Sequence, residues 1–123
     1  KQVCTWFAFE NEIIGTTSSI KGLASKETIE LLEDSELVRF QSEKINELTQ
    51  INLSISNLMS DIWSDHAVFL EERLYQLQFM DSDEKYKALI LHNPEILQRV
   101  SLTDIASFLG VSRETLSRIR AKK

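Results

Sequence analysis

The sequence predicts an α+β chain. Alternating β-formers occupy residues 2–9, strand-like runs recur at 28–33 and 36–40, and an unbroken helical period runs from about residue 52 to 79. The last twenty residues hold two short helices around a glycine turn. These observations divide the 123 residues into 1–50, a β-rich domain, 51–80, a long helix, and 81–123, a helical domain.

In the first domain, residues 2–9 (QVCTWFAF) read as a strand. Val3, Thr5, Phe7 and Phe9 lie on one face, and Cys4, Trp6 and Ala8 on the other. Glu10-Asn11 is a turn, and Glu12-Ile13-Ile14 leads to Gly15. Residues 16–25 are small and polar, a loop with room for one helical turn. Thr28–Glu33 and Glu36–Phe40 read as a hairpin turning at Asp34-Ser35, and Ser42 as the cap of a short helix through Leu48.

No Gly or Pro interrupts the next helix, from about Asn52 to about Phe79. Its apolar residues include Ile55, Leu58, Met59, Ile62, Trp63, Phe69, Leu70, Leu74 and Leu77, too wide a set for one narrow stripe. Two things are therefore expected to cover it: its own β-domain and a second copy of the chain. Ile55, Leu58, Met59, Ile62, His66 and Phe69 are read as the dimer seam. An ordinary core helix of a monomer is the other reading. Asp81-Ser82-Asp83 is a polar hinge. Residues 83–92 form a helix with Tyr86, Leu89 and Ile90 inward, stopped at Asn93-Pro94, and Ile96, Leu97 and Val100 join the same core.

Residues 102–121 (LTDIASFLGVSRETLSRIRA) carry the densest pattern. Ile105, Leu109, Val111, Leu116 and Ile119 fall where two steeply crossing helices bury apolar side chains. Ala106 is small where the second helix passes over it, and Gly110 suits a turn with positive φ. Ser112 caps the second helix, and Glu114 suits the positive end of its dipole. Leu116 and Ile119 face the first helix. Arg113, Glu114, Ser117, Arg118 and Ala121 lie opposite. Arginine binds guanine O6 and N7 and glutamate accepts from cytosine N4, so Arg113, Glu114, Ser117 and Arg118 are the expected base readers. A helical hairpin with a solvated charged face is the alternative.

Charge agrees locally. The chain carries −5, but from Arg99 onward six cations face two carboxylates, a net +4 that leaves −9 on residues 1–98. Arg99, Ser112, Arg120, Lys122 and Lys123 are the expected phosphate contacts, although Lys122 and Lys123 also fit a solvated terminus. Hydrophobic residues make up 42% and charged residues 27%, with no run of 18 apolar residues, and a cytoplasmic location fits best. Cys4 is the only cysteine, which excludes an intrachain disulfide, a cysteine-ligated cluster and a cysteine-rich zinc site. His66 and His92 lack nearby ligand companions, so no metal site is expected. No nucleophile motif or phosphate-binding glycine loop points to an enzyme.

The order of elements, and above all GVSRETLSRI at 110–119, resembles the Crp/Fnr superfamily of transcription regulators. Arg113, Glu114 and Arg118 match the family's base-reading positions, and Ser117 matches its E-x-x-S-R variant. The resemblance implies a partial β jelly roll of the cyclic-nucleotide-binding type, a long dimerisation helix and a C-terminal winged-helix-type helix-turn-helix. It implies a homodimer on a two-fold-symmetric site, with RNA polymerase as a further partner. Because a jelly roll has about eight strands and only about four are read here, the first half of the barrel is expected to be missing. Ile14, Gly15, Thr16, Thr17 and Lys26 stand at the place of the family's effector cassette, whose entry Glu12-Ile13-Ile14-Gly15 resembles, but Thr16 replaces its Glu, and Ser25-Lys26 stand near its Arg. No cofactor is evident and the effector is not identified by the sequence.

Two other functions are open to the chain: a small-ligand or cyclic-nucleotide sensor module with little DNA binding, and an adaptor that uses the long helix alone. Since a bidentate arginine is poorly replaced by lysine, cyclic AMP is not expected to bind in the usual way. Calorimetry should detect no micromolar affinity.

Overall fold

The computed structural model describes residues 2–15 and 17–122, with Thr17 and Ser19 described through their backbone alone. Among the described residues there are seven helices and no strand. They are α1 (Thr17–Ile20), α2 (Ser42–Ile51), α3 (Leu53–Phe79), α4 (Ser82–His92), α5 (Ile96–Arg99), α6 (Leu102–Leu109) and α7 (Arg113–Ala121). The chain forms two compact units. One is Asn11–Glu72; the other joins Lys1–Glu10 to Arg73–Lys123.

The expected α+β class is therefore corrected to an all-helical one. The partial jelly roll, the cyclic-nucleotide-binding-like domain and a β-wing are absent from the described residues. The 28–40 segment shows why. A ladder turning at Asp34-Ser35 would set Glu33 directly opposite Glu36, a destabilising like-charge pair. Asp-Ser also lacks the glycine that a tight hairpin turn favours. An isolated hairpin is marginal without a covering layer, and here residues 21–41 are all exposed.

Residues 2–9 likewise join no ladder. Their expected alternation is replaced by a different set: Cys4, Phe7 and Phe9 pack together against the helical core, while Val3 is exposed. The Cys4 N–H donates to the Ser107 hydroxyl at 2.9 Å, a side-chain partner in place of a neighbouring strand.

In the 11–72 unit, α2 begins at Ser42, but the cap residue is Gln41, which makes no side-chain cap bond. Ser42 is thus the first helical residue and not the cap. Asn52 separates α2 from α3 and serves both. Its N–H donates to the Leu48 carbonyl, and its Oδ1 accepts from the Ile55 N–H at 3.1 Å. The helix that follows ends at Phe79, as the period predicts, and has no fully buried residue.

The core lies in the other unit. Leu89, Ile96, Ile105, Ala106, Phe108, Leu109 and Leu116 form one buried cluster; Tyr86, Ile90, Leu97, Val100, Leu102 and Val111 pack around it. Three of its helices start on the same device. Asp81 accepts from the Glu84 N–H at 2.8 Å, Ser101 from the Asp104 N–H at 3.1 Å, and Ser112 from the Thr115 N–H at 3.1 Å. Each satisfies an N–H left free in a first helical turn. For α4 the Glu84 carboxylate completes a capping box.

Helix α6 stops at Gly110, whose φ is +73°. The Val111 N–H reaches the Ala106 carbonyl and the Gly110 N–H the Ser107 carbonyl, the two bonds of a Schellman ending. A Cβ at Gly110 would meet nothing within 4 Å, so only the left-handed backbone opposes a side chain there.

Two substitutions separate these effects. Leu116→Ala, at 0% exposure, should cost about 2–5 kcal/mol by opening a cavity. Gly110→Ala should cost about 1–2 kcal/mol through backbone strain alone. Urea unfolding of both variants checks the order.

Candidate nucleic-acid interface

Helix α7 is amphipathic. Leu116 and Ile119 are buried at 0% and 9% exposure, whereas Arg113, Glu114, Ser117 and Arg118 are all exposed. The apolar pair holds the helix on the α6 side of the core, and its period of 3.6 turns the four polar residues outward. The four expected base readers are thus exposed along one helix, and Ala121 is exposed with them.

The first turn of α7 contains a chain of bonds. The Thr115 N–H donates to Ser112 Oγ, Ser112 Oγ donates to Thr115 Oγ1 at 3.0 Å, and Arg118 Nη2 donates to the same Thr115 Oγ1 at 3.0 Å. Ser112 is therefore engaged as a cap; its assignment as a phosphate contact has no direct geometric counterpart. The cap at Ser112 is where the sequence places it; the link through Thr115 to Arg118, at a spacing of three, joins residues that the sequence pattern presents separately.

The expected phosphate cations divide. Arg120 is half-buried. Lys122 Nζ pairs with Asp83 at 3.0 Å. Lys123 lies outside the described residues. Arg99 is held most firmly: its Nη1 and Nη2 bind the two Glu10 carboxylate oxygens at 3.0 and 2.6 Å, and its guanidinium stands 5.3 Å from the Phe9 ring centre. A Glu95 oxygen lies 3.8 Å away. This fork-on-carboxylate arrangement is the geometry by which arginine also grips a phosphate. Glu10 is 89 residues away in sequence, and no local signal announces the pairing.

Arg73 and Phe108 form a second long-range contact absent from the sequence reading. Arg73 Nη2 donates to the Phe108 carbonyl, one of the last carbonyls of α6, and its guanidinium lies 3.8 Å from the Phe108 ring centre. The Phe7 ring meets the same phenyl at 5.2 Å. Arg73 Nη1 is buried without a hydrogen-bond partner. Desolvation pulls the Arg73 pKa down from its ordinary value. Burial, and then the Asp104 charge, push the Cys4 thiol up.

The remaining expected residues fall in the 11–72 unit. Of the effector cassette, Ile14 is half-buried, Gly15 and Lys26 are exposed, and the Thr17 backbone begins α1. Thr16 and the Thr17 side chain lie outside the described residues. No strand frames this stretch, and Ser25 is bonded to the backbone of Glu27. Of the dimer seam, Ile55, Met59, Ile62, His66 and Phe69 are half-buried within their own chain, and Leu58 is 57% exposed. The His66 ring stands 6.3 Å from both Trp63 and Phe69, an aromatic run along one side of α3.

Among the described residues no group of three or more His, Cys, Asp or Glu could hold a metal ion, and no helix is long and apolar enough to cross a membrane. Comparison with protein-family models, curated proteins and solved structures finds no match.

The Glu10 to Arg99 tie sets a pH dependence. Hydrogen bonding to Arg99 holds the Glu10 carboxyl below its ordinary value. A depressed carboxylate pKa means the tie is complete at neutral pH and is lost as pH falls through that lowered value. The Glu10 carboxyl carbon, followed by NMR, should titrate below about 4.3, the value of a free glutamate, and should return to it in Arg99→Ala.

Proposed function

We propose that this chain is a cytoplasmic, sequence-specific DNA-binding transcription regulator that acts as a homodimer on a two-fold-symmetric site, with α7 as its recognition helix. The observation that carries the reading is the division of α7: Leu116 and Ile119 buried, and Arg113, Glu114, Ser117 and Arg118 exposed. A helix so anchored offers bidentate donors for guanine and an acceptor for cytosine N4 at the end that enters a major groove. The likeness of residues 110–119 to Crp/Fnr recognition helices supports the same assignment, and it needs no β-domain. RNA polymerase is a partner this reading implies. The wide apolar set of α3, none of it fully buried, supports the second copy.

In this reading Arg99 and Lys122 exchange a carboxylate for a phosphate on binding. Each exchange replaces one anion by another, so these two residues add less affinity than unpaired cations would. Arg113 and Arg118 then carry more of the interaction, and Asp83 and Glu10 repel the backbone they are displaced by.

Selection from random duplex DNA should enrich one two-fold-symmetric sequence, bound with an affinity that falls as salt rises. Arg118→Ala should cost about 1–3 kcal/mol on that sequence and relax the preference at one position of each half-site. Unchanged affinity in that variant, measured by fluorescence anisotropy, contradicts the proposal.

A further inference from the structure

Arg118 has two possible partners on its own helix. Glu114 lies four residues before it, the favoured order for a helical ion pair, and Thr115 lies three before it. The structure has the second bond, Arg118 Nη2 to Thr115 Oγ1 at 3.0 Å. No Glu114 to Arg118 ion pair occurs among the described residues. The difference bears on recognition. An arginine paired with Glu114 would bring both base-reading groups onto each other, and each would need to be freed before it met a base.

Thr115 is itself fixed. Its N–H caps onto Ser112 Oγ, and its hydroxyl accepts from that same Ser112 oxygen. The bond to Arg118 thus ties a long, rotamer-rich side chain to a residue already held by two bonds to the helix cap. A guanidinium has five N–H donors. One is spent on Thr115, and enough remain for the two that guanine O6 and N7 accept. Holding the side chain beforehand lowers the entropy lost on binding.

We infer that Thr115 is a positioning residue for Arg118, keeping its guanidinium away from Glu114 and presented to the base it selects. The inference rests on the DNA-binding reading above and names a determinant of its specificity. Thr115→Val keeps the shape and removes the hydroxyl; Thr115→Ser keeps the hydroxyl. Thr115→Ala repeats the removal with a smaller side chain should the valine variant fold poorly.

The test is a double-mutant cycle on the enriched duplex, with full-chain protein and circular dichroism as the folding control. Thr115→Val is expected to lose about three- to tenfold in affinity and to broaden the base preference at the position that Arg118→Ala broadens. Thr115→Ser is expected to match the wild type. In an Arg118→Ala background, Thr115→Val should change nothing further. Wild-type behaviour of Thr115→Val beside a weakened Arg118→Ala overturns the inference and leaves the DNA reading intact. An equal loss with and without Arg118 overturns it as well. Failure of the wild type to enrich any sequence removes the DNA reading, and this inference with it.

Discussion

Burial of Leu116 in the cluster formed by Ile96, Ile105, Ala106 and Leu109 is the constraint on which the second unit depends. Each such aliphatic side chain contributes about 1.5–3 kcal/mol when fully covered, and four of them are almost completely so. Their positions leave α7 one orientation. Once Leu116 and Ile119 are inside, the angle of 100° per residue puts Arg113, Glu114, Ser117 and Arg118 outside. Chemistry at the surface of this helix is a by-product of where its two apolar residues must go.

Much of this unit was legible in advance because its signals are local. Asn93-Pro94 ends α4, Gly110 ends α6 in the left-handed conformation, and Ser112 caps α7. Each of these needs only residues within one turn. The long helix was legible for the same reason, since nothing between Leu53 and Phe79 breaks its period. Phe108 was overlooked, although it is buried at 7% exposure, because its cover comes from Phe7 and Arg73. Contacts across 35 or more residues leave no trace in spacing.

The β-expectation failed on a different ground. Alternation of Val, Thr, Phe and Ile states only that a stretch suits an extended backbone. A strand also needs a partner to take its N–H and C=O groups. Residues 2–9 found a helical surface instead, and the Cys4 N–H that a ladder would use donates to the Ser107 hydroxyl. In residues 28–40 the pattern was apolar enough, but Glu33 and Glu36 oppose each other at the turn. The partial barrel that the family resemblance implies is not formed by the described residues.

The joining of Lys1–Glu10 to Arg73–Lys123 has a practical meaning for anyone dissecting the protein. A fragment cut at the polar break near residue 81 would retain every helix from α4 to α7, yet it would lack the Phe7 ring and the Arg73 guanidinium that shelter Phe108. Its α6 would exchange the Arg73 donor on the Phe108 carbonyl for water, and the Phe108 ring would lose its cover. The unit that holds the core is therefore not a contiguous run of sequence: its first ten residues and its last fifty-one are separated by the whole of residues 11–72.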